Sequence, residues 1–255
     1  MKKAFLLIAL SASIAAFSAF SVRAQAPTPK KQGIGSSGYT WNAQEGEKLE
    51  ALKLKGDKAN GEDAYEVCGA CHLPSGAGRP DGIFPQLAGQ HSTVLIKQMA
   101  DIRAGLRDAP AMYPFAVSLT DPQELADVSA YIQSLCIPAE RGQYEAADAA
   151  AQVAKGKPLY EKQCLECHGK NGEGNRAKFY PVIAGQHYKY LLRQMTEIRD
   201  GKRRNANPDM VKAIRPYTDD MLVAISAYQS SLKMPGAMCT DTAAGKKYRN
   251  SRKRF

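Results

Sequence analysis

Residues 68–72 of this chain read Cys-Gly-Ala-Cys-His and residues 164–168 read Cys-Leu-Glu-Cys-His, so one five-residue signature recurs at an offset of 96. The repeat extends well beyond it. Pro85-Gln-Leu-Ala-Gly-Gln-His91 returns as Pro181-Val-Ile-Ala-Gly-Gln-His187, and Leu95, Gln98, Met99, Ile102 and Arg103 return as Leu191, Gln194, Met195, Ile198 and Arg199, all at that offset. Thr120-Asp121 matches Thr218-Asp219 at 98, and Ser129-Ala-Tyr131 with Leu135 matches Ser226-Ala-Tyr228 with Leu232 at 97. Two copies of this length, differing slightly in their loops, mean a duplicated domain and not a solenoid.

Each copy reads as helical. Leu95, Met99 and Ile102 share a helical face, as do Leu191, Met195 and Ile198, and Gly105 and Gly201 follow as stop signals. The last helix of the first copy opens at Thr120-Asp121-Pro122, and Leu125, Val128, Ile132 and Leu135 form its buried stripe. No segment sustains the period-two alternation of a strand, so the chain is expected to be all-α.

The boundaries follow from composition. Residues 1–24 read as a secretory signal: Lys2 and Lys3, an apolar stretch from Ala4 to Phe20, then Val22-Arg23-Ala24 as a cleavage site. Residues 25–56 form an N-terminal extension, expected to be mobile to Tyr39 and to carry a short helix over Glu45–Leu54 closed by Gly56. The first domain is placed at 57–137, an Ala-rich linker at 138–154, the second domain at 155–240 and a basic tail at 241–255. Secretion places the protein in the periplasm and argues against nucleic acid as a partner.

Cys-x-x-Cys-His is the attachment signature of a c-type haem. Two thiols about one helical turn apart add across the two vinyl groups of the porphyrin, and the adjoining His ligates the iron. Cys68, Cys71 and His72 would hold one haem c; Cys164, Cys167 and His168 would hold a second. A zinc site would need four converging ligands, and the recurrence of a complete signature in each copy favours haem over a redox dithiol.

The sixth iron ligand must come from elsewhere in each copy. Met112 and Met210 follow polar loops ahead of the last helices and are the expected ligands, with His91 and His187 as the bis-His alternative. Met99 and Met195 share their stripe with Leu and Ile and read as core. Met221, Met234 and Met238 have no counterparts in the first copy. His/Met ligation raises the reduction potential and leaves no open position, which points to an electron carrier rather than an enzyme.

The paired signatures, the Pro-x-x-Ala-Gly-Gln-His segments and the loops bearing Met112 and Met210 resemble the tandem dihaem class I cytochromes of the cytochrome c4 family, over roughly Asn60 to Leu232. The resemblance implies two class I cytochrome c domains about a pseudo-two-fold axis, with haem edges facing across the interface. It implies Cys68, Cys71, His72 and Met112 on the first haem and Cys164, Cys167, His168 and Met210 on the second, with His72, Met112, His168 and Met210 on iron. The chain departs from the family in its long extension, its basic tail, and Met at 99 and 195 where Leu is common.

Cys136 and Cys239 remain after haem attachment, and an even leftover pair in an oxidising compartment suggests a disulfide. The formal charge of +10 is carried largely by the signal and the tail, so the body is close to neutral. The tail is a candidate handle for an acidic partner or an anionic membrane surface. Lys202, Arg203 and Arg204 ahead of Met210, against Arg107 beside Asp108 ahead of Met112, predict a higher potential for the second haem. The expected role is one-electron transfer from a dehydrogenase or quinol-oxidising complex to a terminal oxidase or reductase. The alternatives are an electron-accepting subunit of a thiosulfate-type dehydrogenase, or a dihaem oxidoreductase with an open axial site.

Overall fold

The computed structural model describes residues 33–137 and 142–233. The expected signal, the first part of the extension, the basic tail, Met234, Met238 and Cys239 lie outside the described residues. Within them the helices are α1 (Gly46–Lys53), α2 (Lys58–His72), α3 (Ser92–Arg103), α4 (Tyr113–Ser118), α5 (Pro122–Ser134), α6 (Ala149–Gln163), α7 (Leu165–His168), α8 (Tyr188–Arg199), α9 (Pro208–Ile214) and α10 (Asp219–Ser231). Extended backbone pairs only at an isolated bridge between Asn175 and Tyr180 among the described residues. The architecture is all-α, in two tandem domains.

Short polar side chains cap four of the helices, α2, α5, α9 and α10. Asp57 accepts hydrogen bonds from the N–H groups of Ala59 and Asn60 at 2.7 and 3.1 Å, and Asp121 accepts from the N–H of Gln123 with Pro122 in the first turn. The Thr218 hydroxyl accepts from the N–H of Met221. These contacts satisfy donors that have no partner inside the helix.

Each domain is organised by the crossing of its first and last helices, α2 over α5 and α6 over α10. Glycine makes the crossings close. A Cβ at Gly61 would run into the Asp127 carbonyl, and one at Gly156 into the Ala224 carbonyl. Beside each crossing two tyrosine rings meet, Tyr65 with Tyr131 at 5.4 Å and Tyr160 with Tyr228 at 5.3 Å. The Tyr65 and Tyr160 hydroxyls donate to the carbonyls of Leu73 and Gly169 at 2.9 and 2.6 Å. The crossing therefore fixes the backbone immediately after each Cys-x-x-Cys-His.

Leu125, Val128, Ile132 and Leu135 are buried as the stripe requires, and Met99 and Met195 pack on the cores of their own domains. The Ala-rich stretch acts as a helical connector into the second domain and is continuous with its first helix as α6, which carries Pro158 inside it at the cost of a backbone hydrogen bond. That helix breaks at Cys164 and restarts as α7, whereas α2 runs unbroken through Cys68 and Cys71 to His72. The extension forms the expected short helix, α1, but residues 33–39 are anchored: the Ile34 N–H donates to the Arg204 carbonyl at 2.8 Å.

Candidate haem sites and the interface between them

α2 carries Cys68, Cys71 and His72 in its last turn, while Cys164 ends α6 and Cys167 and His168 lie in α7. His72 and His168 are buried, at 3% and 8% exposure. The Nδ1 of each bonds a proline carbonyl of its own domain, Pro85 at 2.8 Å and Pro181 at 3.1 Å. Such a bond fixes the ring tautomer and orientation and leaves Nε2 as the nitrogen able to bind a metal. Burial pushes both imidazoles below their ordinary pKa, against a smaller upward pull from the carbonyl bonds, which keeps them neutral as a ligand must be.

Cys164 is buried and Cys68, Cys71 and Cys167 are partly so, and none of the four is in a disulfide. Burial pushes Cys68 up to about 11 and Cys164 up to about 12, so neither has the low-pKa thiolate of a redox dithiol. Among the described residues no group of three or more His, Cys, Asp or Glu is arranged to hold a metal ion by itself. Two thiols one turn apart beside an imidazole held in one orientation are the donor set that a covalently attached haem requires. Met112 immediately precedes α4 and Met210 lies in α9; both are partly buried.

His91 and His187 are engaged elsewhere. The Nε2 of His91 bonds the Glu173 carbonyl at 2.9 Å, and that of His187 bonds the Ala77 carbonyl at 2.8 Å, each in the other domain. Ala77 and Glu173 are themselves equivalent positions of the repeat. The preceding glutamines do the same. Gln90 accepts from the N–H of Val182 and donates to its carbonyl, both at 2.9 Å. Gln186 accepts from the N–H of Gln86 at 3.0 Å and donates to its carbonyl at 2.9 Å. The Ala-Gly-Gln-His segment is thus an interdomain clasp, made twice about the pseudo-two-fold axis.

A second crossing pair reinforces it. Arg107 donates to Gln98 at 2.9 Å and to Gln194 at 3.4 Å. Its repeat equivalent Arg203 donates to Gln194 at 2.8 Å and to Gln98 at 3.1 Å. Burial and the neighbouring Arg107 bring Arg203 down to about 10. Arg107 and Arg203 are therefore matched, and they do not distinguish the two domains as the sequence reading expected.

Charge distinguishes the domains on a larger scale. Residues 57–137 hold five basic and ten acidic side chains, while residues 155–233 hold 15 basic and eight acidic ones. A nearly neutral body is in fact a molecule with an acidic first domain and a basic second one. The signal was present in the sequence and vanishes only when charge is summed over both copies.

The cytochrome c family model matches residues 58–136 and 153–233, the two halves just described. Cytochrome c4 of Azotobacter vinelandii is 35% identical over 190 residues, covering 69% of this chain and 90% of the relative. A protein of Stutzerimonas stutzeri (strain A1501) described as a thiosulfate dehydrogenase electron acceptor is 32% identical, covering 69% of this chain and 88% of its own. The crystal structure of reduced recombinant cytochrome c4 from Pseudomonas stutzeri superposes with a TM-score of 0.61 at 31% identity, over 69% of this chain and 99% of that one.

If the two histidines are clasp residues, His91→Ala and His187→Ala will leave the axial-ligand absorption bands of the holoprotein unchanged while lowering its thermal midpoint, by about 2–4 °C per kcal/mol lost. His91 also gives the clasp a pH dependence. Burial, with Arg176, holds it below its ordinary 6.5 despite the Glu173 bond. Its contribution is therefore present above 6.5 and is lost as pH falls below it; the midpoint should drop on acidification, and less so in His91→Gln. With the family model matching both halves and cytochrome c4 of Azotobacter vinelandii 35% identical over 90% of its length, this chain belongs to the cytochrome c family, as a two-domain electron-transfer protein with two covalently bound haem c groups.

Proposed function

We propose that the protein is a periplasmic one-electron carrier between a dehydrogenase or quinol-oxidising complex and a terminal oxidase or reductase. In this reading Cys68, Cys71, His72 and Met112 hold the first haem, and Cys164, Cys167, His168 and Met210 hold the second. The observation that carries it is the engagement of His91 and His187 in the clasp, which leaves the two methionine segments as the repeated source of a sixth ligand. Bound haem supplies reversible ferric–ferrous chemistry. His72 and His168, held by the Pro85 and Pro181 carbonyls, would each offer an imidazole nitrogen to iron, and Met112 and Met210 would each offer a thioether sulfur.

The opposite charges of the domains support docking at two distinct ends, with the basic second domain suited to an acidic partner and the acidic first domain to a basic one. The tail and the signal lie outside the described residues, and no described helix is long and apolar enough to cross a membrane. A second reading, as electron acceptor of a thiosulfate-type dehydrogenase, is supported by the Stutzerimonas relative; stable co-purification with such an enzyme and reduction by it would establish that role.

The carrier reading predicts that carbon monoxide does not bind the reduced native holoprotein; binding at either haem would move catalysis to the front. Positive charge near iron favours the reduced state, so the second haem is expected to have the higher potential. The gap should narrow as salt screens exposed charge. Potentiometry on Met112→His and Met210→His variants reads this directly, and a high-potential centre in the first domain would refute it. Cys136 is disulfide-bonded and none of the four signature cysteines is in a disulfide, which supports pairing of Cys136 with Cys239. That bridge would close a long loop across the second domain, worth about 4–5 kcal/mol in the chain-entropy model. Alkylation of the unreduced holoprotein should find no thiol, and two thiols after reduction.

A further inference from the structure

We infer that residues 33–55 form a strap that holds both methionine segments in place, a positioning function absent from the matched cytochrome c region, which begins at residue 58. The inference rests on Met112 and Met210 being the sixth ligands. At its first end the strap lies against the loop that leads into α9. The Ile34 N–H donates to the Arg204 carbonyl at 2.8 Å, and Gly33 sits so close to Arg204 that a Cβ there would overlap its backbone. Ile34 lines a shallow groove with Pro208, Val211, Lys212 and Arg215, on the helix that carries Met210.

At its other end the strap grips the first domain. α1 packs on α3 and α5, with Ala51 fully buried. Glu47 pairs with Arg103. Arg103 in turn donates to the carbonyls of Ala116, at 2.9 Å, and Leu119, which hold the segment just after Met112. The repeat equivalent of Arg103 is Arg199, which donates to the Tyr217 carbonyl at 3.2 Å and finds its carboxylate within its own domain, at Asp219. Only the first copy takes that acid from the strap.

Between its ends the strap is fixed over Asp101. The Trp41 ring lies 5.6 Å from the Lys97 ammonium. Asp101 pairs with Lys97, meets Lys48 of α1 at 3.8 Å and accepts from Asn205 of the second domain at 2.8 Å. One buried carboxylate therefore joins the strap, the first domain and the loop before Met210.

The two ends can be released separately. Imidazole added to the ferric holoprotein binds iron only where methionine has left, so its apparent Kd is the intrinsic value divided by the fraction of open sites. Met112→Ala and Met210→Ala variants, with iron already open, identify the two phases of the titration. Gly33→Val should lower the apparent Kd at the second haem about tenfold and leave the first unchanged. Glu47→Gln should lower it at the first haem, about two- to fivefold as for a partly exposed ion pair, and leave the second unchanged. Ile34→Pro removes the N–H donated to Arg204 and should reproduce Gly33→Val if that variant folds poorly. Unchanged affinities, or equal shifts at both haems from either variant, would overturn the strap. A native second haem without a methionine–ferric charge-transfer band would instead show that the ligand assignment is wrong, and the strap's role would fall with it.

Discussion

Everything in this molecule depends on how its two halves close the backbone hydrogen bonds of each other. Gln86 and Val182 lie beside the proline carbonyls that orient His72 and His168, and the N–H groups of both find their partners in the opposite domain. Buried backbone donors must be paired, and a side-chain amide that both donates and accepts is well suited to the task. Neutral groups do this without the desolvation penalty of a buried charge. Because the bonds are reciprocal, separating the domains would strip partners from both sites at once. The clasp thus links the orientation of the two histidines to the docking of the domains, and two haem proteins become one carrier.

On this symmetric frame sit several asymmetric features. The domains carry opposite net charge, the first leans on an N-terminal strap, and only the first buries an aspartate with two lysines at its interface. Symmetry serves contact between the domains, where equivalent residues must face each other. Asymmetry serves the outside, where donor and acceptor differ and one molecule must present each with its own surface.

Much of this was legible in the sequence because it repeats. The Cys-x-x-Cys-His pairs, the helix stripe through Leu125 to Leu135, the Asp121 and Thr218 region and the core role of Met99 and Met195 follow from spacing and period alone. The role of Ala-Gly-Gln-His was not legible, because its partners are backbone groups. A carbonyl at Glu173 or Ala77 leaves no mark on side-chain identity. The equivalence of Arg107 and Arg203 was visible at the offset of 96, but charge read loop by loop concealed it. The anchoring of residues 33–39 was hidden for a similar reason: a Pro-, Gly- and Ser-rich segment reads as mobile unless the close approach of Gly33 to Arg204 is seen.

The account stands on methionine as the sixth ligand of both irons, with the repeated histidines reserved for the clasp. Near-infrared magnetic circular dichroism of the oxidised holoprotein tests this most directly. The account predicts the methionine–ferric charge-transfer signature from both haems, with an intensity matching two sites per chain. A bis-histidine or high-spin signature at either haem would contradict it.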